Sequence, residues 1–161
     1  MTTKLSYEGD GILPERQSRD DMKASNVTCL IWGADLTSTN RRRQVRQVLR
    51  EHAMAAFAAT RAHAALRHLI VAYRCAPHLR DRLQITAYSE SRRVHAALEL
   101  KRARDIDVIM IDVTGLADNH LAEQRFNELA GKRAGVAGYT AISWNDIRHP
   151  SIQVAGAQDI V

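Results

Sequence analysis

The sequence predicts an α/β protein with a doubly wound parallel sheet of four to five strands and helices on both faces. Short apolar runs alternate along the chain with longer segments of helical period, the order that crossover connections build into such a sheet. One run, Asp107–Asp112, has four consecutive apolar residues between acidic ends, which is typical of a strand buried on both faces. The chain has 161 residues, 45% of them hydrophobic and 25% charged, so we expect one main domain.

The predicted domain begins at residue 27. Residues 1–26 mix glycine, proline and charged side chains without a period of 2 or 3.6, which predicts a flexible arm before a single domain at 27–161. No apolar run approaches the ~20 residues of a membrane helix, and no secretory signal begins the chain. We therefore expect a cytoplasmic protein with no membrane contact. Cys29 and Cys75 lack metal-binding spacing, so we predict neither a disulfide nor a zinc site.

The first half of the domain contains one strand and a long helical segment. Val27–Trp32 is a β-rich apolar run and predicts the first strand. From Arg41 onward, apolar residues recur at spacings of three and four, and an alanine-rich stretch at 53–67 extends the helix. Residues 68–73 fit either the end of this helix or an extra strand, and we favour the helix. Pro77 then ends it.

The second half repeats the alternation of strand and helix. Leu83–Tyr88 alternates between apolar and polar residues and predicts a half-buried strand, and Ser89 can cap the next helix, which extends to Arg104. The remaining predicted elements are a strand at 107–113, a helix at 120–132, a strand at 136–143 and a short last strand at 152–155. No helical period is present after Ser143.

Two acidic residues end predicted strands and are the candidate site residues. Asp35 follows the first strand and Asp112 ends the central one, where open α/β sheets place ligands and reacting groups. An aspartate followed by Thr-Gly also caps turns through its side chain, so Asp112 has a structural interpretation too. The glycine-rich phosphate loops and the Gly-x-Ser-x-Gly elbow are absent. No enzyme class is therefore indicated, although Asp35 and Asp112 together could serve a small-molecule enzyme.

Positive charge is concentrated in the middle of the chain. Residues 41–104 contain 15 Lys or Arg and 4 Asp or Glu. Three arginines begin the first helix, where the helix dipole favours acids instead, so an acidic partner is expected. That partner could be Asp35, Asp112 or a nucleic-acid phosphate, while a solvated surface is the simpler interpretation. The basic face of this helix consists of Arg41, Arg42, Arg43, Arg46 and Arg50.

Much of the chain resembles the receiver domain of response regulators. The segments that carry the resemblance are Leu30–Asp35 with Asn40-Arg41-Arg42, Leu83–Ser89, Arg92–Arg104, Asp107–Val113, Leu116-Ala117-Asp118, the helix at 120–132 and the strand into Thr140-Ala141. The resemblance implies a flavodoxin-like sheet. It also implies that Asp35 binds Mg²⁺, that Asp112 accepts phosphate, and that Thr140 or Ser143 is the hydroxyl that turns toward the phosphoryl group.

The sequence departs from the receiver pattern at functional positions. Only one acid ends the first strand, because Gly33 and Ala34 precede Asp35, and the loss of a carboxylate should weaken Mg²⁺ binding. No lysine follows Lys132, and residues 53–80 would be an insertion. These departures predict a degenerate, pseudo-receiver module with impaired phosphotransfer, no enzymatic activity, and no cofactor beyond a possible Mg²⁺.

The expected role is signal transduction through protein–protein contacts. The alternative is a nucleic-acid-binding transcriptional regulator that uses the Arg41–Arg50 face. Because few residues follow Ser143, we expect one side of the sheet to be under-covered. We therefore predict a homodimer whose contact is supplied by residues 139–161 and by the alanine-rich helix of 53–75.

Overall fold

The computed structural model describes residues 4–13 and 26–158, which contain five strands and four α-helices. The strands are β1 Lys4–Gly9, β2 Val27–Asp35, β3 His68–Arg74, β4 Asp107–Asp112 and β5 Tyr139–Ser143. The helices are α1 Arg42–Ala59, α2 Arg80–Arg102, α3 Asn119–Ala130 and α4 Ile152–Gln158, with 3₁₀ turns at Thr60–Ala62, Pro77–Leu79 and Trp144–Ile147. All strand pairs are parallel, so the predicted α/β class is confirmed.

The sheet is covered on both faces, as a doubly wound fold requires. The first face packs against α1 and α2, and the second face packs against α3 and α4. Alternate residues of each strand belong to the two different cores, because successive side chains of a strand point to opposite faces. In β4, for example, Val108 and Met110 belong to the first-face core, whereas Ile109 and Ile111 belong to the second.

The strand order is sequential, β1-β2-β3-β4-β5. It therefore lacks the reversal at the first strand that gives a flavodoxin-type sheet the order 2-1-3-4-5. The connections through α1 and α2 pass over the first face, and the connection through α3 passes over the second face. All three lead to the next strand on the same side of the sheet, because the strand order is sequential. The crossover through α3 thus has the opposite hand to the other two, which is rare in parallel sheets.

The expectation of a helix at 68–73 was wrong. These residues form most of β3, which lies at the centre of the sheet with six of its seven residues buried. The helix before it ends at Ala59 and is followed by a 3₁₀ turn. β-Branched Ile70 and Val71 fill both cores. Because β3 is interior, the predicted dimer contact at 53–75 cannot come from one continuous exposed helix.

The predicted strand at Leu83–Tyr88 was also wrong, because these residues lie within α2. Their alternation is a short coincidence inside a longer helical pattern. Ile85, which the alternation places in the core, has 73% of its surface exposed. The buried residues follow helical spacing instead: Leu83, Thr86, Ala87, Glu90, Ser91, Val94 and Leu98.

Both ends of the domain differ from expectation. Residues 4–9 of the predicted flexible arm form β1, whereas residues 1–3 and 14–25 of that arm lie outside the described residues. The predicted last strand at 152–155 is part of α4, whose Ile152 and Ala155 pack on the second face. Among residues 4–13 and 26–158, no helix combines the length and apolar character that a bilayer crossing requires.

Candidate functional site

The carboxyl edge of the sheet gathers most of the predicted site residues. Because the strands are parallel, Asp35, Asp112 and Ser143 end β2, β4 and β5 at the same edge. The first residues of α1, α2 and α3, which are Arg42, Arg80 and Asn119, follow these strands at the same edge. This edge is therefore where a ligand would be expected in an open α/β sheet.

Asp35 and Asp112 nevertheless lie on opposite faces of the sheet. Tyr73 pairs with Asp112 and also with Ala34, and Ala34 and Tyr73 both belong to the first-face core. Asp112 therefore points to the first face, whereas Asp35, one residue beyond Ala34, points to the second. β3 also separates the two strands that carry them. The two carboxylates do not converge, as a shared Mg²⁺ ion would require.

Asp35 is bound within its own loop and by β3. Its Oδ2 accepts a hydrogen bond from Arg74 at 2.6 Å, and its Oδ1 accepts from the Thr37 hydroxyl at 2.6 Å and the Thr37 amide at 3.1 Å. The Arg74 hydrogen bond is the largest cause that holds the pKa of this carboxyl well below its usual range. Both carboxylate oxygens of the predicted metal ligand are therefore already engaged.

Asp112 caps the turn that follows β4. Its Oδ1 accepts from the Thr114 amide at 2.9 Å, and its Oδ2 accepts from Arg80 Nε at 2.8 Å. The Thr114 hydroxyl in turn accepts from the Cys75 amide at 3.1 Å, which ties the turn to the end of β3. The carboxylate is only 4% exposed. The Thr114 contact is the turn cap that the Thr-Gly sequence after Asp112 predicted as the structural interpretation. The contact with Arg80 was not predicted from the sequence.

Tyr73 is a buried polar residue beside Asp112 that the sequence did not single out. It is fully buried beside Asp112 in the neighbouring strand, and its hydroxyl has no hydrogen-bond partner among the described residues. Burial, with a smaller contribution from the charge of Asp112, raises the pKa of Tyr73 far above its ordinary value. The Tyr73 side chain is therefore neutral, and it contributes packing but no charge to the carboxyl edge of the sheet.

The two predicted switch hydroxyls have different positions and neither is turned to Asp112. Ser143 pairs with Asp112 across β4 and β5, but its hydroxyl caps the following 3₁₀ turn, where its own amide donates to Asp146 at 2.7 Å. Thr140 pairs with Ile109 of the second-face core and lies beside Gly156 of α4. The phosphotransfer geometry that the receiver resemblance implies is therefore not assembled by these side chains.

No metal centre is evident in the part of the chain that the structure describes. There, no group of three or more His, Cys, Asp or Glu side chains is placed to hold a metal ion. Cys29 and Cys75 are free and buried, and burial is the largest cause that raises the pKa of each thiol.

A second polar cluster lies at the opposite, amino edge. His68 and Asp107 begin the neighbouring strands β3 and β4 and are both completely buried, with Nδ1 and Oδ2 at 3.2 Å. His68 Nε2 contacts the Lys132 carbonyl at 3.1 Å, and Asp107 Oδ1 accepts from the amides of Gly135 and Gly138, both at 2.9 Å. The pair thus holds the loop between α3 and β5 against the sheet.

The five predicted basic residues, Arg41, Arg42, Arg43, Arg46 and Arg50, are all exposed. The expectation that Asp35 or Asp112 faces them was wrong, because those carboxylates pair with Arg74 and Arg80. Of the five, Arg50 alone has an acidic partner among the described residues, Glu90 of α2 at 3.2 Å. Arg42 and Arg46 instead line a shallow groove beside α2, with Val45, Leu79, Arg82 and Leu83.

Comparison with known proteins adds no relative: no protein-family model, no curated protein and no solved structure matches this chain.

Proposed function

We propose that this domain is a non-catalytic, receiver-like signalling module that acts through protein–protein contacts. The observation that carries the proposal is the divergence of Asp35 and Asp112 to opposite faces of the sheet. Phosphotransfer on an aspartate needs a cation beside the accepting carboxylate, because the cation neutralises the charge of the incoming phosphoryl group. Here that position beside Asp112 is taken by the Arg80 guanidinium.

The engaged carboxylates support a structural role for the edge. Each aspartate joins two elements, since Asp35 connects β2 to β3 through Arg74, and Asp112 connects β4 to α2 through Arg80. Breaking either pair to admit a cation would cost an ion pair and several hydrogen bonds. A module of this kind presents a rigid surface to partners.

Nucleic-acid binding is the second candidate, and the unpaired arginines of α1 favour it. A basic surface gives most of the non-specific affinity for phosphates. Against it, no aromatic side chain lines the groove beside Arg42 and Arg46, so a stacking platform for single strands is absent from that groove. The lining of this groove therefore favours a protein partner over a nucleic acid.

Self-association stays a prediction. β5 is an edge strand, and the Gln84 side chain of α2 donates to its Ala141 carbonyl at 2.6 Å. A homodimer could pair two β5 edges through main-chain hydrogen bonds. Sedimentation velocity across a range of concentrations tests this, and a monomer throughout would exclude it.

Titration with Mg²⁺ tests the non-catalytic part of the proposal. We expect the amide resonances of Asp35, Asp112 and Thr114 to remain unchanged at millimolar Mg²⁺, because the carboxylates are apart and already bound. The control is Asp112→Asn, in which any shift that persists arises elsewhere. Saturable shifts at both aspartates that disappear in this variant would overturn the proposal.

A further inference from the structure

We propose that the groove between α1 and α2 binds an acidic helix of a partner protein, an inference that rests on the proposed contact function and names the partner's chemistry. We define the basic groove by the cationic side chains of the two helices that border it: Arg42, Arg46 and Arg50 on α1, and Arg82, Arg93 and Lys101 on α2. Three contacts place them there. Arg42, Arg46 and Arg82 line one depression, Arg50 and Arg93 both pair with Glu90, and Lys101 lies over the Phe57 ring at 4.7 Å.

The charge of the basic groove is not balanced from within. Glu90 is the acid inside it, and its carboxylate, 6% exposed, is already shared by Arg50 and Arg93. Arg42, Arg46 and Arg82 have no acidic partner among the described residues, so their like charges repel across a narrow depression. Carboxylates supplied by a partner would relieve that repulsion and would match the planar guanidinium donors.

The spacing of the arginines matches a helix. Arg42, Arg46 and Arg50 recur every four residues along α1, which puts them about 6 Å apart along the helix axis. A partner helix with glutamates at the same four-residue repeat presents carboxylates at the same interval. A groove between two neighbouring helices is also a common seat for a third helix.

The lining of the groove favours a protein ligand over a nucleotide or nucleic acid. Its floor consists of Val45, Leu79 and Leu83, which are aliphatic and buried, so no ring is available for base stacking. Phe57 lies farther along α1 and is covered by Lys101. The depression has no room for even a water molecule, whereas small-molecule sites enclose roughly 300–1,000 Å³. Surface contact with an acidic helix needs no deep pocket.

The experiment uses a fluorescein-labelled, alanine-based helical peptide with glutamate at every fourth position, and fluorescence anisotropy at physiological salt. A second peptide of the same composition distributes the glutamates around the helix, and a labelled single-stranded oligonucleotide forms the third arm. We expect the striped peptide to bind most tightly. Equal binding of both peptides, or tighter binding of the oligonucleotide, would overturn the proposal, since the first indicates unspecific attraction and the second a nucleic-acid surface.

Two charge-matched variants locate the contact. We expect R42Q/R46Q/R82Q to weaken binding of the striped peptide by about tenfold or more, because three exposed ion pairs are lost. R61Q/R133Q/R148Q removes the same number of exposed charges outside the groove and should leave affinity within about twofold. Equal losses in both variants would contradict a located site. Because these substitutions leave Asp35 and Asp112 in place, failure here is separable from Mg²⁺ binding at the carboxyl edge, which would overturn the proposed function itself.

Discussion

Replacing Asp107 with alanine should lower the free energy of unfolding by about 3 kcal/mol or more, because leaving each buried polar partner without its acceptor costs about 1–3 kcal/mol. Asp107 and His68 are both fully buried, so the partners of the lost carboxylate are not in contact with bulk water. The amides of Gly135 and Gly138 would also lose their common acceptor. Urea unfolding monitored by circular dichroism measures the effect, with the loop between α3 and β5 expected to gain hydrogen exchange first.

Asp107→Asn is the matched control for this prediction. The asparagine oxygen can still accept from Gly135 and Gly138, and its amide can donate to His68 Nδ1 while Nε2 donates to the Lys132 carbonyl. We therefore expect Asn to restore most of the stability lost in the alanine variant. If the two variants were equally unstable, the charge of Asp107 would matter more than its hydrogen bonds. If neither were destabilised, the His68–Asp107 cluster would not hold the loop between α3 and β5 against the sheet.

Gly33→Ala should destabilise the domain by about 1–3 kcal/mol and loosen β1, since new atoms in a filled space force the backbone to move. A Cβ at Gly33 would collide with the main-chain carbonyl of Asp10, and the Asp10 amide donates to the Gly33 carbonyl at 2.8 Å. Asp10 also accepts from the Asp35 amide at 2.8 Å, so the loop after β2 should loosen with it. Hydrogen exchange of β1 relative to β3 measures the change.

Gly11→Ala is the control, because a Cβ at Gly11 meets no atom within 4 Å and its backbone is not in the left-handed region. We expect its stability to equal that of the wild type. A Gly33→Ala variant with unchanged exchange in β1 would contradict the close packing of Asp10 on Gly33.

The sequence predicted those elements whose hydrophobic pattern fits only a strand or only a helix. β4 is a continuous apolar run and appeared where expected. α1 has apolar residues at helical spacing and began where expected, but it ends at Ala59 and not near Pro77. β3 was missed because a buried apolar run has no period that separates strand from helix. β1 was missed because it is a short edge strand with only two apolar side chains, Leu5 and Tyr7, both half-buried.

The candidate site was predicted at the correct edge but with the wrong geometry. Parallel strands bring Asp35 and Asp112 to the carboxyl edge, which follows from element order alone. Whether they share a face depends on the register of β2 and β4 against β3, and that register is a tertiary property. Arg80, which binds Asp112, was unpredictable as a partner because the sequence pattern placed it before a strand rather than at the start of α2.

Intact mass after exposure to acetyl phosphate in Mg²⁺ decides whether Asp112 is a structural cap or a phosphoacceptor. We predict no gain of mass, because Arg80 and the Thr114 amide occupy both carboxylate oxygens and the side chain is almost fully buried. The comparison is Asp112→Asn treated in the same way. A gain of one phosphoryl group in the wild type that is absent from Asp112→Asn would contradict the account and restore phosphotransfer as the function of this edge.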